Sequence, residues 1–336
     1  MHPKLRNVIA GALGVGFLAA AAAPQQASAE TVTIGHFGVP TPWKLAAANG
    51  AFADATGVDI EWRQFDSGAK VISALASGSV DLTALGSSPS AAAIAQDVDL
   101  EIFYVDKVFA SAEAFAVRDG SGITAPQDLR GKTIAVPLAS TTHFHLLFAL
   151  EQFNIPRSEV EVVNMSPNQA VAAWKRGDVD GAFVWNPALG EILKSGRLLI
   201  TSGQLAQWGK PTFDGFAADP EFADANPEFM VSFVEALADV NARYNAQKAD
   251  WTPESDPVQT IANYTGADPQ QVPQVLSGIG FLSLDEQASK QWLGGGVATA
   301  LEATSVFLKN QGKIDTVRDD YGQYVDPSWV EKARTN

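Results

Sequence analysis

Residues 133–153 read TIAVPLASTTHFHLLFALEQF. Thr133–Pro137 is an apolar strand. Ser140-Thr141-Thr142-His143 is a short polar loop, and Thr142–Phe153 is a helix. A strand that hands over to a helix through hydroxyl residues is one βα unit, and the chain repeats it. Working back from Thr133, strands are expected at Thr31–Phe37, Val58–Gln64, Asp81–Leu85, Leu100–Val105 and Ala112–Arg118. Between them lie helices at Trp43–Thr56, Ala69–Gly78 and Pro89–Gln96, with Gly57 as a left-handed stop. Forward from the quoted stretch, strands are expected at Val160–Asn164, Gly181–Trp185 and Leu198–Ser202, alternating with helices at Pro167–Gly177 and Pro187–Ser195. From Asp224 onward the chain reads as mostly helical. Alternation of this kind predicts an α/β fold with central, mostly parallel sheets flanked by helices. The phrase begins once at Thr31 and again at Thr133, which predicts two lobes.

Four polar loops fall at strand ends: Phe65-Asp66-Ser67-Gly68, Leu85-Gly86-Ser87-Ser88-Pro89, Ser140-Thr141-Thr142-His143 and Val184-Trp185-Asn186-Pro187. Ligands of open α/β sheets bind beyond the carboxyl ends of the strands. Free N–H groups at helix starts favour anions there. Asp214, in Trp208-Gly-Lys-Pro-Thr-Phe-Asp214, supplies the opposite charge. The expected ligand is a small zwitterion, its acidic head on the helix starts and its cationic tail on Asp214. The chain is expected to cross between lobes near Glu113–Val117 and near Gly215–Ala218, where Ala-Phe-Ala-Val and Gly-Phe-Ala-Ala look like paired hinge strands. The expected division is 30–115 with 216–336 as one lobe and 116–215 as the other.

Residues 1–29 have the form of a secretory signal peptide. Lys4 and Arg6 precede the apolar run Asn7–Ala23, and Ala27-Ser28-Ala29 precedes a cleavage point at Glu30. The mature protein is therefore expected in the periplasm. Cysteine is absent, so its stability rests on its core rather than on disulfides. The formal net charge is −15, and removal of Lys4 and Arg6 makes it −17. Such a surface argues against nucleic acid and for a soluble monomer.

Several blocks carry a family resemblance in combination. They are Trp62-Arg-Gln-Phe-Asp-Ser-Gly68, Leu75-Ala-Ser-Gly-Ser-Val-Asp81, Leu85-Gly-Ser-Ser-Pro89, Lys132-Thr-Ile-Ala-Val-Pro137, Ser140-Thr-Thr-His143, Ala173-Trp-Lys-Arg-Gly-Asp178, Asp180-Gly-Ala-Phe-Val-Trp185, Gln207-Trp-Gly-Lys-Pro-Thr212 and Asp319-Asp-Tyr-Gly-Gln-Tyr-Val325. From about Glu30 to Val325 the chain resembles the solute-binding proteins of bacterial sulfonate ABC importers, a group of taurine, alkanesulfonate, nitrate and thiamine-precursor binders. The loop Gly38-Val-Pro-Thr-Pro-Trp43 is richer in Pro and more aromatic than that pattern. The resemblance implies a type II periplasmic binding fold whose two lobes close on the ligand. It implies capture of taurine or a related sulfonate and delivery to an ABC permease at the inner membrane. The same fold also serves other alkanesulfonates, nitrate, and the thiamine-pyrimidine synthases, which are enzymes.

A sulfonate has three oxygens and no proton to give, so its partners must be donors. Ser87 and Ser88 either cap the helix at Pro89 or face the ligand, and two adjacent hydroxyls allow both. Thr141 and Thr142 pose the same choice. Asp214 is the expected ammonium partner, because a carboxylate buried beside Phe213 needs a cation. Asp66 is the alternative anchor, or else it orders its turn. Trp43, Trp185 and Trp208 offer apolar walls or cation–π contact, against ordinary core packing. Trp185 is favoured because it lies at a strand end. Phe37, Gln64 and Asn186 complete the expected ligand set. His143 and His145 are two apart on a helix and point to different faces, so no metal pair is expected. No cofactor, metal or catalytic residue is expected. Gly294-Gly295-Gly296 lacks the context of a phosphate loop, and no nucleophile elbow is present.

Overall fold

The structure, a computed structural model, describes residues 31–335. The expected signal peptide lies outside these residues. Eleven strands are present among them: β1 (Val32–Phe37), β2 (Ile60–Phe65), β3 (Leu82–Gly86), β4 (Glu101–Phe109), β5 (Glu113–Arg118), β6 (Thr133–Val136), β7 (Glu161–Asn164), β8 (Gly181–Trp185), β9 (Gly196–Thr201), β10 (Phe213–Ala218) and β11 (Ile279–Gly280). They form two sheets. One has the order β11-β4-β10-β3-β1-β2 and the other β7-β6-β8-β5-β9.

Apart from the short edge strand β11, the two sheets share one plan. In the first, β2, β1 and β3 run parallel, and β10 lies antiparallel between β3 and β4. In the second, β7, β6 and β8 run parallel, and β5 lies antiparallel between β8 and β9. The second sheet is one continuous stretch, β5–β9, whereas the first is completed by β10 and β11, which follow that stretch in the chain. The two segments expected at the crossings are β5, the first strand of the second sheet, and β10, the strand by which the chain re-enters the first. As expected, most strands of each sheet run in one direction, since β4 and β9 point the same way as the parallel strands beside them; the sheets are mixed because the strand lying between makes two antiparallel ladders. All of β5 belongs to the second sheet and all of β10 to the first. The chain thus changes sheet between Phe109 and Glu113 and returns between Thr201 and Phe213, a few residues before the expected points.

One expected helix is broken. Trp43–Thr56 becomes Trp43–Ala48 and Ala51–Thr56, because Gly50 takes φ +74°, which ends the first segment. Gly57 is left-handed at φ +71°, the expected stop. The long helix Pro227–Gln247 buries Phe229, Met230, Phe233, Val234 and Leu237, a stripe at spacings of three and four. Its Phe233 ring lies 5.4 Å from the ring of Phe216 in β10 and 5.0 Å from Phe52. Phe216 also meets Trp43 at 5.6 Å. The inserted strand is thus the centre of an aromatic core.

Among the described residues no helix is long and apolar enough to cross a membrane.

Because Phe216 is fully buried among rings, Phe216→Ala is expected to cost about 3–5 kcal/mol. Urea unfolding followed by circular dichroism measures it. A loss below about 1 kcal/mol would show that the inserted strand does not anchor the core.

Candidate functional site

The carboxyl ends of strands from both sheets line one cavity. From the first half come Phe37, Val39, Gly68, Gly86, Pro89 and Phe109, joined by Asp214 of β10. From the second come Glu113 of β5, Ser140, Thr141 and Trp185.

Three helix starts meet at this cavity. Gly68–Ala76 follows Ser67, whose side chain makes no capping bond. Ser87–Ala95 follows Gly86, which has no side chain to cap with. Thr141–Gln152 follows Ser140, whose Oγ accepts from the N–H of His143 at 3.1 Å and leaves the earlier N–H groups without that cap. The starts touch one another. A Cβ on Gly68 would lie 3.0 Å from Pro89 Cβ and 3.2 Å from the carbonyl oxygen of Ala139, and one on Gly86 would lie 3.0 Å from Thr141 Cγ2. Glycine permits this approach. Three positive helix ends around one small space suit an anion, and no Lys or Arg is among the lining residues.

The other polar wall is acidic. Glu113 is fully buried and its Oε2 accepts from Thr141 Oγ1 at 2.6 Å. The Thr141 hydroxyl directs its hydrogen to Glu113, so toward the cavity it offers lone pairs. Asp214 lies beside it, since a Cβ on Gly86 would meet Asp214 Oδ1 at 3.1 Å. Asp214 Oδ2 is 2.8 Å from Lys107 Nζ, which is 2.5 Å from Asp106 Oδ2. Asp106 Oδ1 accepts from Trp43 Nε1 at 3.0 Å. One buried ammonium thus serves two carboxylates while Glu113 stands close by. Lys107 is held above its ordinary range by those two carboxylates, which outweigh its burial. Burial pushes Asp214 up to about 6, against the pull of Lys107. This wall suits a cation and the helix starts suit an anion.

The structure brings Phe37, Thr141, Trp185 and Asp214 to the cavity. Ser87 and Ser88 are buried between the lining residues Gly86 and Pro89, and Ser87 Oγ accepts from the N–H of Phe213 at 3.5 Å. The other expected residues are placed elsewhere. Thr142 is fully buried, its hydroxyl 2.8 Å from that of Ser140. Trp43 sits in the core, stacked on Trp62 at 4.8 Å. Asp66 pairs with Lys70 one helical turn on. Gln64 and Asp66 line an outer chamber, separated from the cavity by Phe37 and Trp185, whose rings are 6.4 Å apart. Asn186 accepts from the N–H of Gly190 and turns to a different surface cleft. Trp208 is 47% exposed against Phe153.

Sequence reasoning did not single out Lys107, Glu113, Val39 or Phe109 as site residues. A signal existed for two of them. Lys107 interrupts the apolar strand Tyr104-Val-Asp-Lys-Val-Phe109, and Glu113 opens Glu-Ala-Phe-Ala-Val117. Charges in buried strands are paired or functional. The pairing itself was not legible. Asp106 falls at a register shift in the β4–β10 ladder, where Asp214 faces Lys107 and Gly215 faces Val105. That bulge disturbs the alternation that would put neighbouring side chains on opposite faces.

Comparison with known proteins agrees with this architecture. The family model described as NMT1/THI5 like matches residues 40–243. The taurine-binding periplasmic protein of Escherichia coli K12 is 40% identical over 306 residues, 91% of this chain and 94% of the relative. The alkanesulfonate-binding protein SsuA of Xanthomonas axonopodis pv. citri, bound to MOPS, superposes with a TM-score of 0.74 at 23% identity, covering 88% of this chain and 98% of that one. The desulfurization enzyme DszB superposes with a TM-score of 0.62 at 17% identity, covering 91% and 99%. The solved structures show that the fold is shared by binding proteins and by an enzyme.

Lys107→Met leaves Asp106 and Asp214 buried without their cation, so a loss of about 3–5 kcal/mol is expected. Thermal and urea unfolding test this. A variant as stable as the parent would remove Lys107 from its structural role.

Proposed function

We propose that this chain, which belongs to the NMT1/THI5-like family, is a periplasmic binding protein that captures taurine (2-aminoethanesulfonate) and delivers it to an ABC permease. The observation that carries this is the pairing, within one small cavity, of three helix starts with the buried carboxylates Glu113 and Asp214. Taurine holds a sulfonate and an ammonium two methylenes apart. Its sulfonate would take the N–H groups of the helix starts, with Ser87 and Ser88 beside them. Its ammonium would take Asp214, Glu113 and the lone pairs of Thr141. Phe37 and Trp185 would cover the methylenes. The 40% identical relative named for taurine supports the same ligand.

A plain alkanesulfonate or nitrate would fill the anion end and leave the acidic wall without a partner. That is why the aminosulfonate is preferred. The reading is of a non-enzyme, supported by a close relative that is a binding protein. A turnover assay with thiamine-precursor substrates is expected to give no product.

Capture works by hinge closure. The ligand touches residues of both halves, so it stabilises the closed arrangement over the open one. The moving bodies would be the two sheets with their helices, joined at the crossings between Phe109 and Glu113 and between Thr201 and Phe213. The signal peptide at 1–29 would export the protein, which would act as a monomer.

Calorimetric titration with taurine, after unfolding and refolding to strip any carried ligand, is expected to give one-to-one binding at micromolar Kd or tighter. Absence of heat and of thermal shift would move the assignment to another ligand. Asp214→Asn is expected to weaken taurine at least thirtyfold, about 2 kcal/mol, and ethanesulfonate far less. Equal losses would remove Asp214 from the ammonium site.

The pH dependence has a definite sign. Asp214 titrates near 6 and attracts an ammonium only when ionised. Affinity for taurine is therefore full above that value and falls as pH drops through it, by up to about tenfold per pH unit. Titrations between pH 5 and 8 check this, with ethanesulfonate as the ligand that does not follow.

A further inference from the structure

Behind the cavity wall, Glu113 continues into a buried network. Its Oε1 accepts from Ser202 Oγ at 2.6 Å. Ser202 Oγ also lies 2.8 Å from His145 Nδ1, and His145 Nε2 lies 2.8 Å from the carbonyl oxygen of Lys210. Glu113, His145 and Ser202 are all fully buried.

The hydrogens in this network can be counted. A carbonyl only accepts, so Nε2 carries a hydrogen. Ser202 has one hydroxyl proton, directed to Glu113. The contact between Ser202 Oγ and Nδ1 then needs a hydrogen on Nδ1 as well. An ionised Glu113 and a neutral His145 hold one proton too few for this arrangement. The balance closes in two ways, with a protonated Glu113 that donates to Ser202 or with His145 as an imidazolium, its Nδ1 3.5 Å from Glu113 Oε1; the hydroxyls of Thr141 and Ser202, each aimed at one Glu113 oxygen, favour the ionised carboxylate and so the imidazolium. The groups around it fit. The rings packed on His145 are Phe144 and Phe183, which carry no charge. Asp214, itself paired with Lys107, bears on Glu113 across the cavity. A buried carboxylate with an acidic neighbour needs a cation of its own.

The network also spans both crossings. Glu113 is the first strand residue after the chain enters the second sheet, and Ser202 and Lys210 lie on the segment that leads back.

We propose that His145 is the positioning residue of ligand capture: as an imidazolium it holds Glu113 ionised through Ser202, and it ties both chain crossings to the wall that receives the ligand's ammonium. His145 does not touch the ligand. It fixes the charge and place of the group that does. The proposal rests on the aminosulfonate assignment for its ligand and on the hydrogen-bond geometry for its proton.

The test has two parts. In the ligand-free protein labelled with 15N-histidine, both ring nitrogens of His145 are expected at shifts of N–H nitrogens at pH 7, assigned by loss of the signal in His145→Gln. A resonance of an unprotonated ring nitrogen would place the proton on Glu113 and overturn the proposal. The second part compares taurine with ethanesulfonate in Ser202→Ala and His145→Leu. A tenfold or greater loss for taurine with less than threefold for ethanesulfonate is expected. Equal losses would mean a merely structural role. If His145→Leu fails to fold, Ser202→Ala and the spectrum of the parent protein still decide. Failure of the parent to bind taurine would overturn the ligand assignment alone, since the spectrum needs no ligand.

Discussion

A single buried ammonium organises the acidic wall of this cleft. Lys107 reaches Asp106 on its own strand and Asp214 on the inserted strand β10. Burial of two carboxylates without a cation would cost several kcal/mol each, so strand β10 has a strong reason to sit beside β4 in this register. The bulge at Asp106 makes the triad possible, because an unbroken ladder would turn Asp106 and Lys107 to opposite faces. Trp43 then fixes the far oxygen of Asp106, which carries the constraint into the aromatic core. Core packing and ligand-site electrostatics are thus joined through one lysine.

The return of the chain to the first sheet gives the fold its second constraint. The second sheet is one continuous stretch, β5–β9, but the first is completed only when β10 comes back to lie between β3 and β4. Two short crossings result, and both are close to the cavity. Any ligand that draws the two walls together acts directly on the segments that must bend. A long linker would not couple binding to closure in this way.

The two ends of the cavity work by different physics. In the proposed reading, the anion end uses helix dipoles and N–H groups with no formal charge, so it would hold a sulfonate without importing a cation that competes for the carboxylates. The cation end uses full charges, with Lys107 positioned to support Asp214 while leaving an excess of carboxylate at the wall. Under the proposed function, selectivity for a zwitterion would follow from leaving a charged wall unpaired when the wrong ligand binds, which costs more than a missing contact.

Much was legible in the chain itself. Apolar runs ending in Ser, Thr and Gly marked the strand ends, so the βα alternation, the doubled phrase and the polar loops could be placed. Asp214 could be singled out because a carboxylate beside Phe213 needs a reason to be there. Glu113 and Lys107 were written in the sequence as charges within apolar strands, but nothing local says which cation meets which carboxylate. Trp43 shows the converse, since an aromatic residue in a suggestive loop turned out to stack on Trp62 in the core. Local sequence determines periodicity, caps and strand ends, because those depend on neighbours within a few residues. Only the tertiary structure decided that β10 inserts between β3 and β4, that a bulge swings Asp106 toward Lys107, and that three helix starts converge on one space. Those outcomes depend on contacts between residues far apart in the chain, where the energy of burying a charge selects the partner.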